Sequence, residues 1–86
     1  MATSVIRSNL LLNCGDYPNG TSVAAVRNGF YRVIPAARPS EGVPSGFDYC
    51  VLLKVTVNTG YVMAILTDIY GRLAVWSTQS GAWSVH

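Results

Sequence analysis

The chain has few charged side chains, one histidine and two cysteines, and these shortages exclude several classes of protein. Only 12% of its residues are charged, against roughly 25% in an average soluble domain. The basic residues are scattered and form no patch, which argues against nucleic-acid binding, because phosphate contacts dominate that affinity. No apolar run approaches the roughly 20 residues that cross a bilayer, so membrane insertion is not expected.

The residues that could carry out chemistry occur without the spacing that catalysis or metal binding needs. His86 is the only histidine and lies at the end of the sequence, where residues usually fray. The chain has four carboxylates: Asp16, Glu41, Asp48 and Asp68. They suit turns and loops, and nothing marks two of them as a glycosidase pair. Cys14 and Cys50 match no zinc spacing; two buried thiols are expected, with a disulfide as the alternative. The sequence therefore predicts no enzyme, no metal and no cofactor.

Apolar side chains, in contrast, are in excess. Half of the residues are hydrophobic, although a domain of this size buries only roughly 60–65% of its surface on folding. A monomer of 86 residues cannot hide that much apolar surface, so we expect it to associate, most economically with copies of itself. The starting Met1 and the short length suggest either an expressed C-terminal fragment or a separately translated small subunit.

Alternating apolar residues predict strands through the second half of the chain. Over residues 47–57, every second side chain falls on one face, because successive side chains of a strand point to opposite sides. The residues of that face are Phe47, Tyr49, Val51, Leu53, Val55 and Val57. Further strands are predicted at 30–34, 61–67, 72–78 and 83–85, with short turns that make neighbours antiparallel. The expected fold is mainly β, a small, sandwich-like antiparallel meander.

Residues 1–26 give weaker signals and are assigned as an N-terminal connector, with 27–86 as the β domain. Leu10, Leu11 and Leu12 can begin a strand, and 21–26 predict one short helical turn. Residues 35–46 contain three prolines and two glycines and predict a long loop, which is a common place for binding.

The tyrosines and tryptophans allow two interpretations. They can form a stacking platform for sugar rings, because each combines an apolar face with a polar tip. They can equally be core and interface residues, since sheets favour aromatic side chains. The second interpretation is preferred for Trp76 and Trp83. Tyr70, in a predicted turn beside Gly71, is the best candidate for exposure.

Short motifs run in a characteristic order through residues 20–86. They are NGFYRV (28–33), a Pro/Gly-rich loop, Tyr49 with VLL (51–53), GYV (60–62), LTD (66–68), GRLAVW (71–76) and SGAW (80–83). Together they resemble the pyocin knob family of phage tail fibres, and the last is similar to that family's terminal Gly-x-Trp signature. The resemblance implies a β knob in a trimeric fibre or tailspike of a virion, made in the bacterial cytoplasm. It supplies no catalytic residues.

The expected function is host attachment: a phage tail-fibre or tailspike domain that binds a bacterial surface receptor, a glycan or a protein. Loops 35–46 and 68–72 are the expected contacts, with Tyr70, Arg72, Glu41 and Arg38 as ligand-binding residues. The expected partners are copies of the chain in a homotrimer and the parent fibre. An alternative is purely structural, a trimerisation or chaperone-like cap without a ligand. A third is a secreted or cytosolic lectin-like monomer.

Overall fold

A computed structural model describes residues 12–86, which fold as one six-stranded sheet. The strands are β1 (Leu12–Asp16), β2 (Gly29–Val33), β3 (Cys50–Asn58), β4 (Tyr61–Asp68), β5 (Leu73–Ser77) and β6 (Ser84–Val85). Their order in the sheet is their order in the sequence, and each pair from β2 to β6 is antiparallel. The mainly β fold and the meander are thus confirmed.

The first strand departs from the antiparallel prediction. β1 runs parallel to β2, with Leu12 opposite Gly29 and Asp16 opposite Arg32. Parallel neighbours need a long crossover, and residues 17–28 provide it by passing over one face of the sheet. The sheet is therefore mixed. Residues 10 and 11 of the predicted N-terminal strand lie outside the described part of the chain.

The core lies between one face of this sheet and a layer of loops. The buried side chains of the sheet include Tyr31, Val33, Leu52, Ala64, Leu66, Ala74 and Trp76. The loops contribute Tyr17, Val23 and Val26 from the crossover and Phe47 from the loop before β3. The covering layer is irregular chain where a sandwich would have a second sheet. Residues assigned to the connector by sequence share this core.

The loop layer is held together mainly by backbone hydrogen bonds. The N–H of Gly20 donates to the Arg38 carbonyl, and the N–H of Ser40 donates to the Thr21 carbonyl. The helical turn predicted over 21–26 is present only as a single hydrogen-bonded turn, in which Ala25 N–H donates to the carbonyl of Ser22, and no helix forms there. Residues 12–86 contain no helix, and hence none that is long and apolar enough to cross a membrane.

Both tryptophans pack in or against the core, as predicted. Trp76 is buried, and the half-buried Trp83 packs against the core while its Nε1–H donates to the Gly42 carbonyl at 2.9 Å. The cysteines form no disulfide. Cys50 is buried, and burial raises the pKa of its thiol. Cys14 is half-buried, and its Sγ donates to the Asn28 carbonyl.

Candidate ligand-binding site

The turn between β4 and β5 is organised by one carboxylate. Asp68 ends β4, and its side chain is almost fully buried. Its Oδ1 accepts the N–H groups of Tyr70 at 3.1 Å and Arg72 at 2.8 Å, and its Oδ2 accepts Arg72 Nε–H at 2.7 Å. Burial disfavours the charged form, but these hydrogen bonds outweigh it and hold the pKa of Asp68 below its usual value. The turn is therefore stabilised by three hydrogen bonds to one side chain.

The Arg72 side chain joins this turn to the loop before β3. Its Nη2–H donates to the Gly46 carbonyl at 2.7 Å. Its guanidinium lies over two rings, 4.7 Å from the centroid of buried Phe47 and 5.6 Å from that of Tyr70. Contacts at these distances are attractive cation–π interactions. Arg72 therefore links the core to the aromatic ring at the tip of the turn.

Gly46 makes this close approach possible. Its φ is +86°, a left-handed conformation that glycine adopts without strain. A Cβ at this position would lie 3.3 Å from Arg72 Nη1. An alanine here would thus require the Arg72 guanidinium to shift by a few tenths of an ångström.

Two exposed tyrosines flank a small depression next to the turn. Tyr70 is 77% exposed and Tyr49 is 53% exposed. The depression has a volume of about 120 Å³, and its wall includes Asp48 and Ile69. Asp48 is also exposed, and its carboxylate accepts a hydrogen bond from Arg38 Nη2 at 3.3 Å. Aromatic faces thus lie beside a hydrogen-bond acceptor.

Three of the four predicted ligand residues meet here. Tyr70 and Arg72 are in contact, and Arg38 reaches the same site through its ion pair with Asp48. Glu41 is bonded elsewhere, because its carboxylate accepts the Ser22 hydroxyl at 2.6 Å and the Val23 N–H at 3.0 Å.

The hydrogen bonds of Glu41 connect the two loops that cover the core. Burial disfavours its charged form, but the donors from Ser22 and Val23 prevail and hold the pKa of Glu41 below its usual value. Ser40 Oγ lies 3.4 Å away as a further donor. The structure thus gives Glu41 a role in fastening the loop layer.

Tyr49 and Asp48 were missed as site residues because the strand was predicted to begin too early. β3 begins at Cys50, so Tyr49 and Asp48 belong to the preceding loop. Phe47 is buried against the core rather than lying on the face of Val51. The available signal was the Ser45-Gly46 pair, a turn sequence directly before the predicted strand.

The geometry suits noncovalent recognition. The rings of Tyr49 and Tyr70 can stack on an apolar ligand face, and Asp48 can accept hydrogen bonds. Within residues 12–86, no group of three His, Cys, Asp or Glu side chains is placed to hold a metal ion. His86 lies away from this turn, with its Nε2 at 3.3 Å from the Ser84 hydroxyl.

Comparisons with protein-family models, with curated proteins and with solved structures find no match for this chain.

Proposed function

We propose that this protein is a non-catalytic attachment domain of a phage tail fibre or tailspike, which binds a glycan on the bacterial surface through the β4–β5 turn. The observation that carries the proposal is Tyr70, a residue that is 77% exposed on a turn fixed by Asp68 and Arg72. An aromatic ring held in place before binding loses little conformational freedom when a ligand stacks on it. Such rings are suited to the apolar faces of sugars.

The surroundings of Tyr70 favour a polar, ring-shaped ligand. Tyr49 offers a second exposed ring across the depression, and Asp48 offers an acceptor for ligand hydroxyl groups. The exposed part of the Arg72 guanidinium can donate to ligand oxygens. A protein receptor on the bacterial surface would use the same residues. In the proposed setting the domain works in the virion, as part of a trimeric fibre assembled in the bacterial cytoplasm.

The test is a glycan array together with adsorption to bacterial cells, comparing the wild type with Tyr70→Ala and Tyr70→Trp. We expect Tyr70→Ala to weaken binding by about 0.5–1.5 kcal/mol, the range of a lost aromatic stacking contact, and Tyr70→Trp to retain binding. Arg27→Ala is the control, because it removes an exposed positive charge from the loop layer. Unchanged binding by Tyr70→Ala, or equal losses in all three variants, would contradict the proposal.

The second candidate function is structural, a trimerisation or chaperone-like cap without a ligand. It is favoured by the apolar face of the sheet that the loop layer leaves open, where Met63 and Ile65 are exposed. Deleting the domain from its parent fibre separates the two functions. Particles that assemble but do not adsorb support receptor binding, whereas failed assembly supports the cap.

A further inference from the structure

The side of the sheet that points away from the core is apolar and open to solvent. We call it the outer face, and its residues are Phe30, Val51, Leu53, Val55, Val57, Tyr61, Met63, Ile65, Leu73 and Val75. The register aligns one row of them across four strands: Phe30, Leu53, Ile65 and Val75. Ile65 has neighbours on both sides and is still 38% exposed. The described part of the chain therefore leaves this face uncovered.

The outer face is large enough to form most of a specific interface. From Val51 to Val57 it extends about 20 Å along β3, at about 3.3 Å per residue. Across β2 to β5 it covers three strand spacings of about 4.8 Å, which with side-chain width gives about 20 Å. The resulting area of about 400 Å² is close to the ~500 Å² per partner at which specific interfaces begin. Apolar patches of this size on monomers are often functional.

Within residues 12–86, the charges that border the outer face cancel. Arg32 and Asp16 lie opposite each other at its β1–β2 edge and form an ion pair, with Nε and Oδ1 2.6 Å apart. Thr67 and Ser77 contribute uncharged polar groups at other edges. Two such faces can meet without repulsion between like charges, whereas a charged partner would find little to complement it.

The shape of the outer face, with its ridges and grooves, is also suited to packing against the outer face of a second copy. A groove of about 420 Å³ lies at one end, lined by Arg32, Val51 and Thr67 of the sheet and by Tyr49 and Ile69, which also line the depression of the candidate ligand site. A groove of about 590 Å³ lies at the other end, beside Tyr61 and Met63. The row that contains Ile65 lies between them along the strands. Ridges on one sheet can thus enter grooves on the other, as in packed sheets about 10 Å apart.

We infer that the outer face is bound by a second copy of this chain, sheet against sheet. Size, neutrality and relief all match this occupant, and the two-fold arrangement uses one patch on both partners. The inference does not require that the β4–β5 turn binds a glycan.

The test is the solution mass of the full chain by light scattering, from about 1 to 100 µM. We expect the wild type to exceed the monomer mass of 9.2 kDa as its concentration rises. Ile65→Lys places a charge at the centre of the contact, so we expect dissociation constants at least about a hundredfold larger. Val57→Lys, near the end of the face, is a second variant in case Ile65→Lys unfolds.

Val85→Lys is the matched control. Val85 is an apolar residue with 55% exposure, but its register with Ala74 places it on the opposite side of the sheet from Ile65. The Val85→Lys variant should therefore associate like the wild type. A wild type that stays at 9.2 kDa up to about 100 µM would overturn the inference, whether residues 1–11 or another protein cover the face. Dissociation by Val85→Lys equal to that by Ile65→Lys would overturn it too.

The light-scattering measurement tests the interface and the adsorption test concerns the glycan site, so a negative result in one does not decide the other. Loss of adsorption in Tyr70→Ala with an unchanged mass supports the glycan site and leaves the interface intact. A folded, monomeric Ile65→Lys together with a Tyr70→Ala variant that adsorbs like the wild type supports the interface alone.

Discussion

The Asp68 carboxylate and the Arg72 guanidinium form an ion pair across the β4–β5 turn, with Nε of Arg72 2.7 Å from Oδ2 of Asp68. The carboxylate is buried while the guanidinium is partly exposed. Asp68 also accepts the N–H groups of Tyr70 and Arg72, so one side chain both closes the turn and positions the exposed ring.

Replacing Asp68 with Asn should loosen this turn. The amide keeps the shape of the side chain but loses the negative charge and one acceptor oxygen, so the Arg72 guanidinium is released. Hydrogen exchange at the Tyr70 and Arg72 amides should become faster, while amides at the centre of β3 change little. Equal protection of the turn in wild type and Asp68→Asn would contradict this role.

The same carboxylate predicts an acid-sensitive turn. The folded pKa of Asp68 lies below the unfolded value of about 3.9. Its stabilisation is therefore fully present above about pH 4 and is lost as the pH falls through the lower folded pKa. Amide exchange at Tyr70, followed from neutral to strongly acidic pH, should report this opening. Asp68→Asn should show no such step.

Substitution of Gly46 is expected to lower the free energy of unfolding more than substitution of another glycine with a similar φ. Both Gly46 and Gly60 have positive φ, at +86° and +82°, but a Cβ at Gly60 would meet nothing within 4 Å. Gly60→Ala should therefore cost only the left-handed strain, roughly 1–2 kcal/mol. Gly46→Ala should cost this strain and, in addition, the energy of shifting the Arg72 guanidinium by a few tenths of an ångström. Urea unfolding measures the loss of unfolding free energy in each variant. Equal losses in Gly46→Ala and Gly60→Ala would mean that Arg72 adjusts without cost.

The sequence predicted the strands from β2 onward because their alternation and turns are local signals. Tyr61–Asp68 begins just after Gly60 and ends where Gly71 allows the next turn, so both bounds follow from neighbouring residues. The parallel pairing of β1 is different. It depends on residues 17–28 folding over the sheet, a long-range arrangement that no local pattern expresses.

The candidate site was predictable in part for the same reason. Tyr70 was identified because a turn beside Gly71 exposes its side chain. The contact of Arg72 with Phe47 and the ion pair of Arg38 with Asp48 join segments far apart in the chain. Side-chain contacts of that kind are settled by tertiary packing, and one sequence contains no signal for them.

The two faces of the sheet should respond differently to the same substitution. Leu66 is fully buried in the core, whereas Leu73 lies on the outer face with 39% exposure. Leu66→Ala removes core contacts and should cost about 2–5 kcal/mol, a large share of a total stability of the order of 4–13 kcal/mol. At concentrations where the chain is monomeric, Leu73→Ala should cost less than about 1 kcal/mol. Similar losses in urea unfolding would contradict the assignment of the two faces.

Lys54 is the buried charge whose replacement should stabilise the fold. It lies on the core face of β3 with 4% exposure, and its Nζ donates to the Val26 carbonyl. Lys54→Met leaves that carbonyl without its donor, a loss of about 1–3 kcal/mol. The substitution also removes the cost of burying an ammonium group, the same cost that lowers the pKa of Lys54. Because apolar replacements of buried charges are often stabilising, we expect a net gain of up to about 1 kcal/mol at neutral pH.

The pH dependence separates this explanation from a general packing effect. Burial lowers the folded pKa of Lys54 below the unfolded value of about 10.4. Between those two values the unfolded chain binds more protons, so the stability of the wild type rises with pH in that window. Burial also raises the pKa of Tyr31 to about 12, and its ionisation in the unfolded chain lowers stability above about pH 10. Urea unfolding from neutral pH to about pH 9.5 should therefore show a rise in the wild type that Lys54→Met lacks. The same rise in both proteins would assign it to another group.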